Sequence, residues 1–417
     1  MTTGRIPLVS QPAPNPASRS SVAYWCAAVA VLVGALGAGF EMKAEGWEPS
    51  ALIQMSGAEP MAQLARRIDP SFRFVDPDAH YDGVYFYAVA LDPLARGEAH
   101  ALIDQSVYRY GHAGYGWLAW LGSAGRAKAV PWALLFVGLA GLALAAWAVT
   151  RLIEDQGRSG WWGLAVALNP GLIYALTAVC SETAGAAAIA MSLLLWTRGR
   201  YLAAAPWLVL ACVIKEPFVL VPVGLAAWEG ITWIRGRRAH KLLQRAAVLA
   251  AGPVVFSVWY VYLRVHFGQW PHEATPEGFF YFPFVGWAKS LGDAAGLANR
   301  SFYESQIGAA SGPLIAAFIG ACVVGAAWAV RVRSALDPVY LLFALLITTL
   351  GPLGLVYPKD MIRLTAIPLM LLPPMLAASM RARDALNLAT ASEPEAIPAR
   401  GALRGRARAS LRERTRL

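Results

Sequence analysis

HYDGVYFYAVALDP, residues 80–93, places one carboxylate, Asp82, beside His80, Tyr81, Tyr85, Phe86 and Tyr87. An ionised carboxylate can take a proton from an attacking hydroxyl. The same stretch carries local structural signals. Pro77 breaks the chain, Asp78 can cap a helix, and from Asp82 onward the spacing turns helical. Tyr81, Tyr85 and Ala88 share one face; Phe86, Val89 and Ala90 line the adjacent one. This pattern suits a short helix lying in a membrane interface, with aromatics at headgroup depth. Asp82 then falls in its first turn, where the helix dipole favours a negative charge. The competing reading is a capping Asp with no substrate.

Other residues capable of chemistry stand apart from the basic clusters. They are Asp76, Asp78 and His80, then Glu182, then Lys215 and Glu216, then Lys359, Asp360 and Arg363, with His266, His272, Glu273 and Glu277 in a later loop. Asp78, His80 and Asp82 alternate, so an extended turn would put them on one side. Such a set could bind a divalent cation, Mg2+ or Mn2+, which makes Asp76, Asp78 and His80 the candidate metal ligands. Caps and turns account for the same residues without a metal. His266 and His272 flank Trp270; interfacial anchoring accounts for them more simply than sugar stacking. Cys26, Cys180, Cys212 and Cys322 lie in or beside apolar blocks, without metal-ligand spacing or a disulfide framework.

These residues need a membrane frame to hold them. The 417-residue chain is 57% hydrophobic and only 15% charged, too apolar for a soluble domain. Charge-free blocks at 22–40, 129–150 and 160–180 each reach the roughly 20 residues a bilayer crossing needs. The first block is longer than a signal-peptide core, so an uncleaved anchor is expected. Lys and Arg gather at Arg5/Arg19, Arg151/Arg158, Arg198/Arg200, Arg235 through Arg245, Arg331/Arg333 and from Arg381 onward. The positive-inside bias puts all these clusters in the cytoplasm, with an even number of crossings between successive ones.

That parity predicts outer turns near Ser181-Glu182, at Lys215-Glu216-Pro217 and at Tyr357-Pro358-Lys359-Asp360, plus outer loops at about 41–128 and 266–312. Crossings are expected at 246–265 and 313–330. The result is an all-α polytopic protein of about ten transmembrane helices in the plasma (inner) membrane, both termini cytoplasmic. The crossings beside Lys215 are short, which is acceptable inside a bundle. Arg126 and Lys128 sit on the disfavoured side, but long loops obey the rule weakly. Segment 108–122 is apolar enough for a partial membrane helix. Residues 1–20 read as a disordered lead, 21–383 as the transmembrane domain and 384–417 as a basic cytoplasmic tail. No stacking aromatics interleave the tail arginines, so nucleic-acid binding is not expected. No internal repeat or Gly-rich nucleotide loop is present.

The arrangement resembles the GT-C glycosyltransferases, polytopic enzymes that take sugars from polyprenyl-phosphate carriers on the outer face. The nearest subgroup is the bacterial relatives of the GPI-mannosyltransferase and dolichyl-phosphate-mannose-dependent enzymes. YDGVYFYAVALDP resembles their YDGQFYY-type segment, and YRYGHAGYGWLAWLGSAG (108–125) their YR…YPWLAWLLS-type segment. LNPGLIYALTAVCSET (168–183) and VIKEPFVLVPVGL (213–225) resemble their NP…TE and TRE/TKE segments. The likeness covers about 75–380. His112-Ala113-Gly114 departs from the family's basic and apolar run, Lys215 takes the basic position before Glu216, and no Asp-x-Asp pair aligns.

The resemblance implies a sugar, mannose-like or another hexose or pentose, moved from a polyprenyl-phosphate carrier to a glycolipid, polysaccharide or protein acceptor of the cell envelope. A lipid phosphate is already a good leaving group. Such an enzyme needs chiefly a base for the acceptor hydroxyl and positive charge for the departing phosphate. Asp82 is the expected base. Lys215 and Arg363 are the expected phosphate ligands, and Glu216 holds Lys215 or contacts sugar hydroxyls. Glu182 pairs with either cation, and Tyr81, Tyr85 and Arg109 complete the substrate-binding set. Displacement by one carboxylate-assisted attack inverts the anomeric carbon. Two other functions compete. A transporter or flippase would line a path with ionisable residues at mid-membrane depth. A non-catalytic envelope-assembly protein would be indifferent to Asp82→Asn.

Overall fold

The computed structural model describes residues 21–76, 80–236, 241–297 and 302–391, the side chains of 302–308, 311, 386 and 388–391 excepted. Asp78, the lead 1–20 and the tail beyond 391 lie outside the described residues. The chain divides into a main body, Pro14–Ser379, and a small unit of Met1–Ala13 with Met380–Leu417. Of the small unit, only the helical stretch up to Ala391 is among the described residues.

Among the described residues the regular structure is helical, apart from two isolated β-bridges, Ser56 with Val75 and Phe280 with Leu350. In chain order the helices are α1 (Ser21–Ala44), α2 (Pro60–Ile68), α3 (Gly83–Leu91), α4 (Ser106–Tyr110), α5 (Gly114–Gly122), α6 (Val130–Asp155), α7 (Leu164–Ala167), α8 (Pro170–Thr177) and α9 (Glu182–Thr197). They continue with α10 (Tyr201–Ile214), α11 (Leu220–Ile234), α12 (Leu242–Phe267), α13 (Val285–Leu297), α14 (Phe302–Ala329), α15 (Leu336–Thr348), α16 (Pro352–Leu355), α17 (Pro358–Leu364) and α18 (Ala366–Ala391).

Five stretches are long and apolar enough to cross a membrane: Ser21–Ala44, Ala127–Asp155, Glu216–Ile234, Leu242–Phe267 and Gly312–Ala329. Pro358–Leu364 and Ala366–Ala385, bent by 40° between them, add a sixth if they form one span. The chain is thus an all-α protein with the helices of a multi-pass membrane protein. α9, α10 and α15 are apolar but shorter.

The first crossing shows how sequence dictates packing. On α1, Cys26, Ala30, Gly34 and Ala38 recur every fourth residue and are buried, while Tyr24, Trp25, Leu32, Leu36 and Phe40 stay exposed. A stripe of small residues lets backbones approach closely where helices meet inside a bilayer. Leu142 and Leu139 of α6 and Leu176 of α8 come up against Gly34.

Two expectations are corrected here. The apolar block 160–180, expected as one span, is broken into a 3-10 turn at Gly160–Gly163, then α7, then α8. Pro170 removes a backbone donor and Asn169 caps a fresh helix, its side chain accepting from Gly171 N at 3.0 Å and Leu172 N at 3.2 Å. Second, α3 does not lie on a surface: residues 83–90 are all buried. A helix apolar all round is covered all round. Its first residue must be glycine, because a Cβ on Gly83 would stand 2.5 Å from Ile53 O and 2.9 Å from Ala178 O. Segment 108–122 forms only α4 and α5, each too short to cross.

Loop 41–128 folds into α2 through α5. The second expected loop is stitched down by backbone bonds: Tyr281 N donates to Thr349 O and Phe284 N to Thr348 O, both at 2.7 Å.

Candidate functional site

α9 and α10 form an antiparallel pair joined at Arg198–Arg200. Their similar length brings the start of α9 beside the end of α10. Lys215 Nζ consequently lies 2.7 Å from Glu182 Oε1. The opposite end of the pair is tied by Arg198 Nε to Asp155 Oδ2 at 2.7 Å. One end therefore gathers the cytoplasm-type basic residues and the other a mixture of acids and bases.

The turn entering α9 is strained. Val179 holds φ at 42°, the left-handed region that a β-branched residue rarely enters. Such strain costs about 1–3 kcal/mol and persists only where the surroundings enforce it. It delivers Cys180 and Glu182 to Arg363 of α17: Cys180 Sγ lies 3.4 Å from Arg363 Nη1, and Glu182 Oε1 lies 3.6 Å from Arg363 Nε. Asp360, one turn earlier on α17, accepts a hydrogen bond from the Tyr81 hydroxyl and lies 3.8 Å from Arg363 Nη2.

Asp82 stands at the head of α3, yet its side chain makes no capping hydrogen bond. Its Oδ2 takes Arg363 Nη1 at 2.5 Å, and its Oδ1 lies 3.4 Å from Arg109 Nη1. Arg109 also covers the Tyr85 ring at 3.5 Å and reaches Asp104 at 3.6 Å. The result is one alternating chain of charge: Arg109, Asp82, Arg363, Glu182, Lys215. Burial alone would raise the Asp82 carboxyl; Arg363 first, then Arg109, outweigh it and hold the group well below the usual carboxylate range. Burial pushes the Tyr85 phenol up, well beyond its usual range. Glu182 Oε2, Arg109 Nε and Arg363 Nε are buried without a hydrogen-bond partner among the described residues.

A second cluster adjoins the first. Glu216 does not hold Lys215; its Oε2 lies 2.5 Å from His112 Nε2, and its Oε1 accepts the Tyr260 hydroxyl at 2.8 Å. Both clusters open into a cavity of about 1150 Å³. Its lining mixes the cations Arg109, Lys215, Lys359 and Arg363 and the acids Asp82, Asp104, Glu216 and Asp360 with the apolar side chains of Phe256, Phe279, Phe280, Leu346, Leu350 and Leu353. That volume lies at the large end for a ligand site.

The structure thus brings together Asp82, Lys215, Glu216, Arg363, Tyr81, Tyr85 and Arg109 on the cavity, with Glu182 just behind. His112, Tyr260 and Asp104 are site residues that reading along the chain misses. His112 carries a signal, an imidazole three residues after Arg109 in an otherwise apolar segment; Tyr260 carries none inside the run of α12. Asp78 lies outside the described residues, and both ring nitrogens of His80 are engaged, Nδ1 with Glu59 Oε1 at 2.7 Å and Nε2 with Tyr85 OH at 3.3 Å. Among the described residues, no three His, Cys, Asp or Glu side chains gather as ligands.

The chain matches no model of a known protein family, no curated protein and no solved structure.

Proposed function

We propose that the protein is a membrane glycosyltransferase of the GT-C kind, moving a sugar from a polyprenyl-phosphate carrier to a cell-envelope acceptor with inversion. What carries this reading is the mixed lining of the cavity, where the cations Arg109, Lys215, Lys359 and Arg363 occur together with aromatic and aliphatic side chains. A ligand suited to both kinds of lining has an anionic head and a hydrocarbon tail. The resemblance of the motif segments adds the sugar. In this reading the cations receive the phosphate and stabilise its charge as it leaves. Asp82 orients Arg109 and Arg363; a carboxylate already shared by two guanidiniums is a poor proton acceptor.

The topology belongs to the same proposal. The short helices α9, α10 and α15 and the broken segment 160–177, added to the five long stretches and the bent pair, would make up about ten crossings. The site then faces away from the cytoplasm, the chain lies in the plasma membrane, and both termini are cytoplasmic.

A deletion strain tests the function whichever sugar is moved. Glycolipids and envelope polysaccharides are profiled for linkage composition in the deletion strain, with the wild-type gene returned, and with Asp82→Asn returned. The expected result is one lost linkage, restored by the wild type and not by the variant. An unchanged profile on deletion overturns the proposal. Full rescue by Asp82→Asn removes Asp82 from the machinery and favours an assembly role.

A further inference from the structure

Glycosyl transfer requires a group to receive the proton of the attacking hydroxyl, and Asp82 is badly placed for it. Arg363 Nη1 at 2.5 Å and Arg109 Nη1 at 3.4 Å occupy its two oxygens. Protonating that carboxylate would break both pairings at the moment the phosphate needs those cations.

The adjoining cluster has the geometry that Asp82 lacks. His112 Nε2 lies 2.5 Å from Glu216 Oε2, and the side chain is mostly buried but lines the cavity. A neutral imidazole facing a carboxylate donates its N–H to it, so the proton is assigned to Nε2 and the lone pair to Nδ1. Nδ1 makes no hydrogen bond among the described residues. Glu216 is itself held, because Tyr260 OH donates to Oε1 at 2.8 Å. The Tyr108 ring packs edge-on against the imidazole, centroids 4.9 Å apart. Gly111 leaves the room this needs: a Cβ there would stand 3.3 Å from Tyr260 OH and 3.4 Å from Glu216 Oε1. A nitrogen base oriented by a carboxylate, itself oriented by a third group, is the general form of an activated acid–base pair.

We propose that His112 is the general base of this site, with Glu216 as its positioning residue. This rests on the glycosyltransferase reading. The acceptor O–H breaks and its proton passes to His112 Nδ1. The acceptor oxygen bonds to the anomeric carbon as the bond from that carbon to the phosphate oxygen breaks. The electron pair leaves with the polyprenyl phosphate, whose charge is met by Arg363, Arg109 and Lys215. His112 afterwards returns its proton to water. Glu216 and Tyr108 contact the imidazole and Tyr260 bonds Glu216; the titratable and charged Arg109, Lys215, Asp82, Asp104 and His272 line the same cavity.

The test uses the full-length protein in proteoliposomes, with radiolabelled polyprenyl-phosphate mannose and, separately, polyprenyl-phosphate arabinose as donors, and a polar envelope-lipid extract as acceptor. His112→Gln should lower kcat by roughly 100-fold or more, with the donor KM changed less than about threefold. Glu216→Gln, which keeps the shape of the site, should lower kcat by about tenfold at little-changed donor KM, with partial rescue by Glu216→Asp. The unchanged donor KM shows that a slow variant is folded. Wild-type turnover in His112→Gln, or full turnover in Glu216→Gln, overturns the proposal. If the wild type consumes neither donor, the glycosyltransferase reading fails and this inference falls with it.

Discussion

Arg363 Nη1 lies 2.5 Å from Asp82 Oδ2 although 281 positions of sequence separate them. The pair closes the segment between α1 and α6 onto α17, and it sits at the centre of an ion chain running from Arg109 to Lys215. Removing one member of a buried pair leaves the other uncompensated, which costs about 3–5 kcal/mol when burial is complete. Asp82 is 29% exposed at its side chain and Arg363 9%, so the lower part of that range is expected. A double-mutant cycle of Asp82→Asn and Arg363→Gln, read by unfolding in mixed detergent–SDS micelles, should give a coupling energy of about 1–3 kcal/mol. A coupling below about 0.3 kcal/mol would show the pair to be incidental.

The same pair sets a pH signature. The folded-state pKa of Asp82 is depressed, so its contribution to stability is complete above the unfolded value near ~3.9 and is lost as pH falls through the lower folded value. Wild-type stability attributable to this residue should therefore be flat from about pH 5 upward. It should decline only at more acid pH, and that decline should vanish in Asp82→Asn. Thermal unfolding from about pH 3 to pH 8 measures it.

Lys215 and Glu182 close the far end of the ion chain. Lys215→Met leaves Glu182, whose side chain is 3% exposed, with Arg363 Nε at 3.6 Å as its remaining cation, and should destabilise by about 1–3 kcal/mol. Adding Glu182→Gln should recover most of that stability. Sugar transfer should stay reduced by at least about tenfold, because a cation for the phosphate is missing. Recovery of both together would limit the pair to a structural role.

The apolar lining predicts dependence on carrier length. Phe280→Ala and Leu353→Ala remove exposed aromatic and aliphatic surface from the cavity lining. Loss of one such contact is worth roughly 1.5 kcal/mol, about tenfold in affinity. KM for a long polyprenyl donor should rise by about that factor, while a donor with a two-isoprene tail should change little. An equal rise for both donors would place the tail elsewhere.

Two glycines should respond oppositely to alanine. At Gly83 the added methyl meets Ile53 O at 2.5 Å, so Gly83→Ala should destabilise by about 1–3 kcal/mol and disturb Asp82 beside it. Gly292, inside α13, has nothing within 4 Å, and Gly292→Ala should stabilise by up to about 1 kcal/mol. Melting temperatures of the two variants decide this.

Much of the site was legible as a list of residues. Asp82, Lys215, Glu216 and Arg363 are ionisable groups at the edges of apolar blocks, and a charge there has few bland reasons to exist. Their partners were not legible. Sequence adjacency suggested that Glu216 holds Lys215. Successive residues at a helix break point in different directions, and Lys215 goes to Glu182 while Glu216 goes to His112. The interfacial reading of α3 failed for a related reason. Aromatic spacing tells a helix apart from a strand, but a short helix apolar all round belongs wherever other elements can cover it, and here loop 41–128 and the bundle do.

By itself the sequence determined that the chain is helical and built for a bilayer, because uninterrupted apolar blocks and the segregation of Lys and Arg are local properties that no folding can undo. It also determined where ionisable residues interrupt those blocks. Only the tertiary structure decided which acid meets which base, since ion pairing is settled by distances of a few ångströms between elements far apart in the chain. That is why Asp82 reads as a free carboxylate along the sequence, and why in three dimensions it is bound by Arg363 and Arg109 while His112 meets Glu216.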